Sequence, residues 1–411
     1  MPKKINLLCL FDYASFTGFA TVSKNLVKNW LLIFKDNIKI DIVGVNYFGA
    51  DYNESSNVRV ISAKHKDIKG DDYGRHVFLK TANIGNYDVI FIIQDIGVIQ
   101  PCISHLQTII NTKKKNNKKQ FKTIFYFPID VELLPRLTNG LGYFDFLATY
   151  TEFGKNEVLQ IRPELKNKLQ VIPHGNNSAN FYPLEKLDIV KFRQEYFGEN
   201  SNKFIVGCVN RNQPRKDIPT TILGFLQYKM TYNANSLLYL HMNPKDPLGW
   251  DLRQIFEQTP LKEGVDYMFP SEEDYNKGAS VEKLNTIINC FDVFLSTATG
   301  GGWELTVTEA MGCKIPTIIP KHTSFLTLGG VNGENTYFLE TLHPIVDRMD
   351  NLIRYQSDLY EIGDTLHLVY ETIDFDSEEH KQIVDNAYNF VQSLKWKDIA
   401  KRFADKIKEL A

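Results

Sequence analysis

The sequence predicts two α/β domains in tandem, each a parallel sheet with helices on both faces. Three observations predict this class. Short apolar segments alternate with helix-like stretches, the alternation restarts after a turn-rich segment, and some apolar segments have no polar position. Val89–Ile93 is such a segment, as expected for a strand covered on both faces. The 411 residues suffice for two or three domains at about 100 to 200 residues each.

The first half of the chain predicts seven strands joined by helices. Between the first two strands, apolar residues recur at helical spacing from Val22 to Phe34, which predicts the first crossover helix. The predicted strands of this half are 5–11, 38–45, 58–61, 89–93, 123–127, 146–150 and 171–172.

The second half repeats the alternation after residues 173–177, a Pro-His-Gly-Asn-Asn stretch that we interpret as the interdomain linker. Amphipathic helices are predicted beyond residue 378. The predicted strands of this half are 204–209, 237–242, 267–269, 293–296 and 317–319.

Charge and composition exclude several classes of protein. The 47 Lys+Arg nearly balance the 49 Asp+Glu, so there is no global attraction to nucleic acid or anionic lipid. No apolar run is long enough to predict a membrane span. The N-terminus lacks the apolar region of a signal peptide, and the five cysteines are scattered without a CxxC pair, so we expect a cytoplasmic protein with reduced thiols.

Two cations lie in a loop after the strand at 204–209. Arg211 and Lys216 are five residues apart and can converge on a diphosphate, whose charge suits both a guanidinium and an ammonium group. Pairing of these cations with Asp217 at the surface is the alternative.

A glycine-rich loop follows the strand at 293–296 and precedes a helix predicted to begin near Leu305 or Thr306. Glycines let the backbone approach a ligand, and a helix N-terminus attracts an anion. One turn into that helix, the Glu309 carboxylate can accept two hydrogen bonds from a diol such as ribose. Compensation of the helix dipole explains Glu309 equally well.

Together these segments resemble the retaining, metal-independent glycosyltransferases of the GT-B fold, in particular the family-4 group. In that family an Arg and a Lys five apart bind the nucleotide-sugar diphosphate, and a pattern E-G-x-G-L-x-x-x-E-A-M-A-x-G-x-P follows. Residues 301–316 match most of this pattern. The resemblance implies two Rossmann-like domains facing each other across a cleft, with Arg211, Lys216 and Glu309 as catalytic residues. It implies no metal and no other cofactor.

The resemblance also implies a division of labour between the domains. Residues 1–176 would form the acceptor-side domain, 177–391 the donor-binding domain, and the C-terminal helix at 392–411 would cross back to the first. The implied donor-binding residues are Gly18, Gly301, Gly302, Trp303, Glu304, Leu305, Thr306 and Val307.

The chain departs from the family pattern around its first glutamate. Gly301 stands where the first glutamate of the pattern is found, and Glu304 occupies a place usually held by glycine. Glu304 could substitute by reaching back. Backbone N–H groups of the loop could also hold the sugar or phosphate without a carboxylate.

The N-terminal domain contributes weaker signals. Gly18, in a loop after the first strand, resembles the family's glycine loop, although an ordinary strand-to-helix turn explains it equally well. Asp95 and Asp130 follow strands at the edge where ligands bind in parallel sheets, and His174 resembles the histidine of the family's linker. These three residues are candidates for the acceptor side. A helix cap is the alternative for Asp130, and a hinge histidine that packs against backbone is the favoured alternative for His174.

Two charged segments have ordinary explanations. Residues 113–122 contain the only lysine cluster, and we predict a solvated loop there. Asp374-Phe375-Asp376 spells the DxD motif of metal-dependent sugar transferases, but it precedes Ser377 and two glutamates, so helix capping is predicted instead.

The expected reaction moves a hexose or related sugar from a nucleotide-diphosphate sugar, with UDP-sugars favoured, to an acceptor hydroxyl with retention. The acceptor is a glycan, lipid, protein or small molecule. The alternatives are a catalytically impaired nucleotide-sugar binding protein, another GT-B enzyme such as an epimerase or phosphorylase, and a transferase that acts on hydroxymethylated DNA bases.

Overall fold

The computed structural model describes residues 4–15, 17–64, 70–232 and 234–411. The chain divides into two compact units. The first contains Met1–Ile129, Leu133–Gly175 and Leu394–Ala411, and the second contains Asp130–Glu132 and Asn176–Ser393.

The first unit is built on an eight-stranded sheet with the order β3-β4-β2-β1-β5-β6-β7-β8. All neighbouring strands are parallel except β3 and β4. The strands are β1 Ile5–Asp12, β2 Ile38–Val45, β3 Tyr52–Ser55, β4 Val58–Ser62, β5 Val89–Ile93, β6 Lys122–Phe127, β7 Phe146–Thr149 and β8 Leu169–Val171. The helices between them are α1 Gly18–Phe34, α2 Arg75–Ile84, α3 Ile96–Lys115 and α4 Glu152–Ile161.

Helix α1 shows how the sequence determines a crossover. Thr17 caps its N-terminus by accepting a hydrogen bond from the Ala20 N–H at 3.1 Å. The apolar positions Val22, Leu26 and Trp30 recur at helical spacing and are buried. The amphipathic face is therefore what packs this helix against the sheet.

The second unit contains a six-stranded parallel sheet with the order β11-β10-β9-β12-β13-β14 and a separate antiparallel hairpin, β15–β16. The strands are β9 Phe204–Val209, β10 Ser236–His241, β11 Tyr267–Met268, β12 Val293–Leu295, β13 Thr317–Pro320, β14 Tyr337–Leu339, β15 Thr341–Val346 and β16 Ile353–Ser357. The helices are α5 Lys186–Phe197, α6 Ile218–Tyr232, α7 Leu252–Phe256, α8 Glu272–Lys277, α9 Val281–Asn289, α10 Leu305–Gly312, α11 Phe325–Gly329, α12 Leu359–Asp374 and α13 Glu378–Ser393.

The last helix, α14 Trp396–Leu410, belongs to the first unit. Its buried Phe403 lies edge-on to Phe91 of β5 at a ring distance of 5.0 Å. The indole N–H of Trp30 donates to the Ala400 carbonyl at 3.0 Å. The C-terminal residues therefore complete the core of the N-terminal unit.

Each sheet has a point at which the chain reverses its direction of winding. It lies between β1 and β5 in the first unit and between β9 and β12 in the second. Ligands of open parallel sheets bind in the crevice outside the carboxyl ends of the strands at such a point. The loops after β9 and β12 lie at this point of the second unit.

The strand predictions are confirmed, with ends that differ by at most two residues. Strands β3 and β14 and the hairpin β15–β16 are absent from the prediction. Their polar or half-exposed positions do not produce a long apolar run. The predicted placement of the two domains across a cleft stays a prediction.

Candidate functional site

Two loops meet at the switch point of the second unit. The loop after β9 ends in a 3₁₀ turn, Pro214–Lys216, and the loop after β12 leads into α10. The N–H and hydroxyl of Thr299 both donate to the Arg215 carbonyl, at 2.9 and 3.2 Å. The Thr297 hydroxyl donates to the Asp217 carbonyl at 3.0 Å. These bonds fix the two loops against each other.

A buried ion pair occupies the centre of this arrangement. The Lys216 ammonium donates to the Glu304 carboxylate, and both side chains are buried. Arg215 lies beside the pair, with Nη1 3.5 Å from Glu304 Oε1 and 2.6 Å from the Gly300 carbonyl oxygen, to which it donates. Burial lowers the pKa of Lys216, and the Glu304 charge opposes that shift. Two cations thus converge on one carboxylate.

Gly301 leaves room for the close approach of Glu304. A Cβ atom at position 301 would lie 2.4 Å from Glu304 Oε1, far inside van der Waals contact. The Gly301 N–H donates to the Thr323 hydroxyl at 3.3 Å. The Glu304 side chain therefore reaches back to the position at which the family pattern has its first glutamate.

Helix α10 presents an N-terminus without a side-chain cap. Glu304 is its N-cap residue, but the side chain makes no capping hydrogen bond because it pairs with Lys216. The first-turn N–H groups of Leu305, Thr306 and Val307 are thus left for other acceptors. The Val307 side chain is buried and contributes to the core. Gly302 and Trp303, just before the helix, are buried as well.

Glu309 lies one turn into α10 and is half-buried. Among the described residues its carboxylate has neither a hydrogen-bond nor an ion-pair partner. Desolvation raises its pKa to about 7. A half-buried carboxylate with unused acceptor capacity is suited to binding hydroxyl groups.

The structure does not pair Arg211 with the same carboxylate as Lys216. The Arg211 guanidinium forms an ion pair with Asp246 at 2.8 Å, and 55% of its side chain is exposed. It is Arg215, absent from the predicted residues, that joins Lys216. Its position beside Lys216 in the same loop was the signal that could have identified it.

Comparison with known proteins identifies sequences that are similar to parts of this chain. No protein-family model matches the chain. It is 27% identical over 185 residues to a probable sucrose-phosphate synthase from Thermosipho melanesiensis, a match that covers 44% of this chain and 40% of that protein. It is 26% identical over 229 residues to a trehalose synthase from Pyrococcus horikoshii, with 54% of each chain covered. The matched segments thus span about half the length of these relatives or less.

Solved structures resemble the whole chain. A sucrose-phosphate synthase from Thermosynechococcus elongatus superposes with a TM-score of 0.71 at 14% identity and covers 99% of both chains. The chain has a GT-B, family-4-like glycosyltransferase fold. A second GT-B structure, described as trehalose-6-phosphate from E. coli bound with UDP-2-fluoro glucose, gives a TM-score of 0.66 at 12% identity and covers 99% of both chains.

The predicted N-terminal residues of this GT-B chain occupy different environments. Gly18 is the first residue of α1 and Asp95 is the N-cap residue of α3, so both lie at the switch point of the first sheet. His174 is instead a core residue, because its side chain is buried and its Nδ1 lies 2.8 Å from the Tyr126 hydroxyl. Desolvation lowers the pKa of His174 to about 3.

Asp130 groups with the second unit. Its carboxylate forms an ion pair with Arg215 Nε at 3.2 Å. Its carbonyl accepts a hydrogen bond from Arg354 Nη1 at 3.1 Å. Arg354 belongs to the hairpin and is a second site residue that the sequence analysis missed. The residue stands in an alternating polar strand without any motif.

Three of the six lysines in the cluster make structural contacts. Residues 113–115 form the last turn of α3, so the predicted loop is wrong there, because lysines stabilise a helix C-terminus. The Lys113 ammonium donates to the Gly85 carbonyl at 2.7 Å. Lys119 and Lys122 form ion pairs with Asp88 and Asp145 at 2.7 and 2.9 Å.

The DxD segment has a structural role. Asp374 ends α12, and Asp376 accepts a hydrogen bond from Lys381 at 2.8 Å. The described part of the chain has no cluster of three or more metal-ligating side chains. None of the described helices has the length and apolar character of a membrane span.

Proposed function

We propose that this protein is a glycosyltransferase that moves a hexose or related sugar from a nucleotide-diphosphate sugar to an acceptor hydroxyl, with retention and without a metal ion. One observation carries the proposal. Buried Lys216 and an uncapped helix N-terminus meet a glycine loop at the switch point of the second sheet. Such a site attracts a diphosphate.

The charge on the leaving group determines what these residues do. As the bond from the sugar to the diphosphate breaks, negative charge develops on the phosphate oxygens. Lys216 and the first-turn N–H groups of α10 stabilise that charge, as a metal ion would elsewhere. Glu309 accepts hydrogen bonds from the ribose, and the exposed Arg211 side chain can exchange its Asp246 partner for phosphate. Retention follows if the leaving phosphate assists attack from the same face.

Similarity to named proteins supports a sugar as the transferred group. The two relatives are named as synthases of sucrose phosphate and of trehalose. UDP is the favoured nucleotide because one structural neighbour is described as bound with UDP-2-fluoro glucose.

Nucleotide release from UDP-, GDP- and ADP-sugars in the presence of a chelator tests the proposal. We expect slow release from one donor. Lys216→Met should lower kcat by about 100-fold, the usual effect of removing one group that stabilises developing charge. Lys245→Met is the matched control, because Lys245 is 79% exposed and pairs with Asp251. The anomeric configuration of the product, read by NMR, tests retention.

The same panel distinguishes the alternative functions. Binding of one donor without release, abolished by Lys216→Met and Glu309→Gln, would identify a nucleotide-sugar binding protein. The glycine at position 301 favours this second candidate. A sugar isomer still attached to its nucleotide would identify an epimerase. If no nucleotide sugar binds, the assignment of the donor site is wrong.

A further inference from the structure

A cavity of about 200 Å³, lined by both apolar and charged residues, opens in the second unit next to the Lys216 site. Arg215 belongs to both, because its guanidinium contacts Glu304 on one side and lines the cavity on the other. The residues of the cavity wall that matter here are Gln213, Arg215, Leu248, Asp347, Asp350 and Arg354.

The hairpin β15–β16 supplies one wall and is firmly anchored. Side chains alternate along β16, so Arg354 and Gln356 point to the same face. The Gln356 amide donates to the Asp217 carboxylate at 2.9 Å. Arg354 is only 4% exposed, and it forms ion pairs with Asp347 at 2.9 Å and Asp350 at 2.7 Å. The wall is thus preorganised.

Neither guanidinium of the cavity has charge to spare for a phosphate group. Arg354 is neutralised by two carboxylates of its own hairpin. Arg215 is held by Glu304 and the Gly300 carbonyl. A dianionic phosphate would have to displace these partners and would meet the negative charge of Asp350, which is 35% exposed.

The unused hydrogen-bonding capacity suits hydroxyl groups instead. The Gln213 side-chain amide is half-buried and has no hydrogen-bond partner in the described part of the chain, so it offers both a donor and an acceptor. Asp350 retains acceptor capacity. Leu248, 51% exposed, provides an apolar surface for the C–H face of a sugar ring.

We propose that this cavity binds the acceptor, and that the acceptor is a neutral sugar rather than a sugar phosphate. The inference rests on the proposed glycosyltransferase function and specifies its second substrate. An acceptor hydroxyl oxygen bonds to the anomeric carbon as the bond from that carbon to the diphosphate breaks. The hydroxyl proton passes to a phosphate oxygen of the leaving diphosphate.

Transfer to free hexoses and to the matching hexose 6-phosphates, with the donor identified above, tests this inference. We expect a neutral hexose to have at least about a tenfold higher kcat/KM than its phosphate. Gln213→Ala should lower kcat/KM for that hexose by about tenfold, the effect of losing one or two hydrogen bonds, while the donor KM changes little. Gln382→Ala is the matched control, since Gln382 is exposed on α13.

The outcomes separate this inference from the proposed function. Preference for a sugar phosphate, use of a non-sugar acceptor alone, or an unaffected Gln213→Ala variant would overturn the cavity assignment while the transferase stands. Loss of donor turnover in the Gln213→Ala variant without any change in acceptor selectivity would overturn it too. If the wild-type protein turns over no donor, both proposals fail together.

Discussion

At the scale of single residues, the geometry of the site depends on the position of the Glu304 carboxylate. Glu304 reaches back to Gly301 and pairs with buried Lys216. The sequence predicted the glycine loop, Lys216 and the start of α10, because a strand, glycines and a helix follow one another in order. The sequence analysis selected Arg211 because it lies five residues from Lys216. In the structure it is Arg215 that contacts Glu304. Side-chain partners of this kind depend on the folded loop, so spacing alone does not identify them.

The close approach at position 301 predicts a large effect of one methyl group. Gly301→Ala would push the Glu304 carboxylate away and weaken its pair with Lys216. We expect a loss of about 1 to 3 kcal/mol in the free energy of unfolding, measured by urea denaturation. Gly97→Ala is the control, because a Cβ there meets nothing within 4 Å. Equal stability of the Gly301→Ala variant would show that Glu304 has room to move.

The raised pKa of Glu309 predicts that the stability of the protein depends on pH. Its pKa in the folded protein, about 7, exceeds the ordinary value of 4.5, so the folded state holds this proton more tightly than the unfolded state. The contribution of Glu309 is complete below pH 4.5 and is lost as the pH rises through about 7. Urea denaturation of wild type and Glu309→Gln measures this. The wild type should lose stability relative to the variant between those values, and a constant difference would contradict the shift.

At the scale of elements, the hairpin β15–β16 is what the sequence did not predict. Its strands carry polar and exposed residues, and the turn between them contains Asn351 with a positive φ of 60° rather than a recognisable Asn-Gly or Asp-Gly pair. The parallel strands were predictable because burial on both faces requires continuous apolar runs. A hairpin anchored by the ion pairs of a buried arginine needs no continuous apolar run. Its strands therefore cannot be recognised from such runs in the sequence.

The buried ion pairs of Arg354 predict how substitutions in the hairpin change the free energy of unfolding. Arg354→Met would leave the buried Asp347 carboxylate unpaired, which should lower the free energy of unfolding by about 3 to 5 kcal/mol. Adding Asp347→Asn to that variant should restore part of the loss, because it removes the uncompensated charge. Chemical denaturation of both variants measures this. No recovery in the double variant would mean that packing, not charge, anchors the hairpin.

At the scale of the whole molecule, the chain forms two units, and its last helix belongs to the first. The restart of the alternating pattern predicted two sheets. The crossing of the C-terminal helix was implied by family resemblance alone, since an amphipathic pattern shows that a helix has a buried face but not what covers it. The structure identifies that cover as the core around Trp30 and Phe91.

This assignment predicts which unit responds to a change in α14. Phe403→Ala should destabilise the first unit by about 3 to 5 kcal/mol, the usual effect of removing a buried phenyl ring. Hydrogen exchange of peptides from β5 should rise, while peptides from β9 should be unaffected. Phe225→Ala, in the core of the second unit, should show the reverse. Faster exchange in β9 after Phe403→Ala would contradict the assignment.

The central claim is that the switch point of the second sheet binds a nucleotide-diphosphate sugar. Hydrogen exchange measured by mass spectrometry, with UDP-, GDP- and ADP-glucose added in turn, tests it most directly. We predict that one of these donors protects residues 210–217 and 297–309, and that Lys216→Met abolishes the protection. No protection of these segments by any donor, or protection confined to other parts of the chain, would contradict the claim.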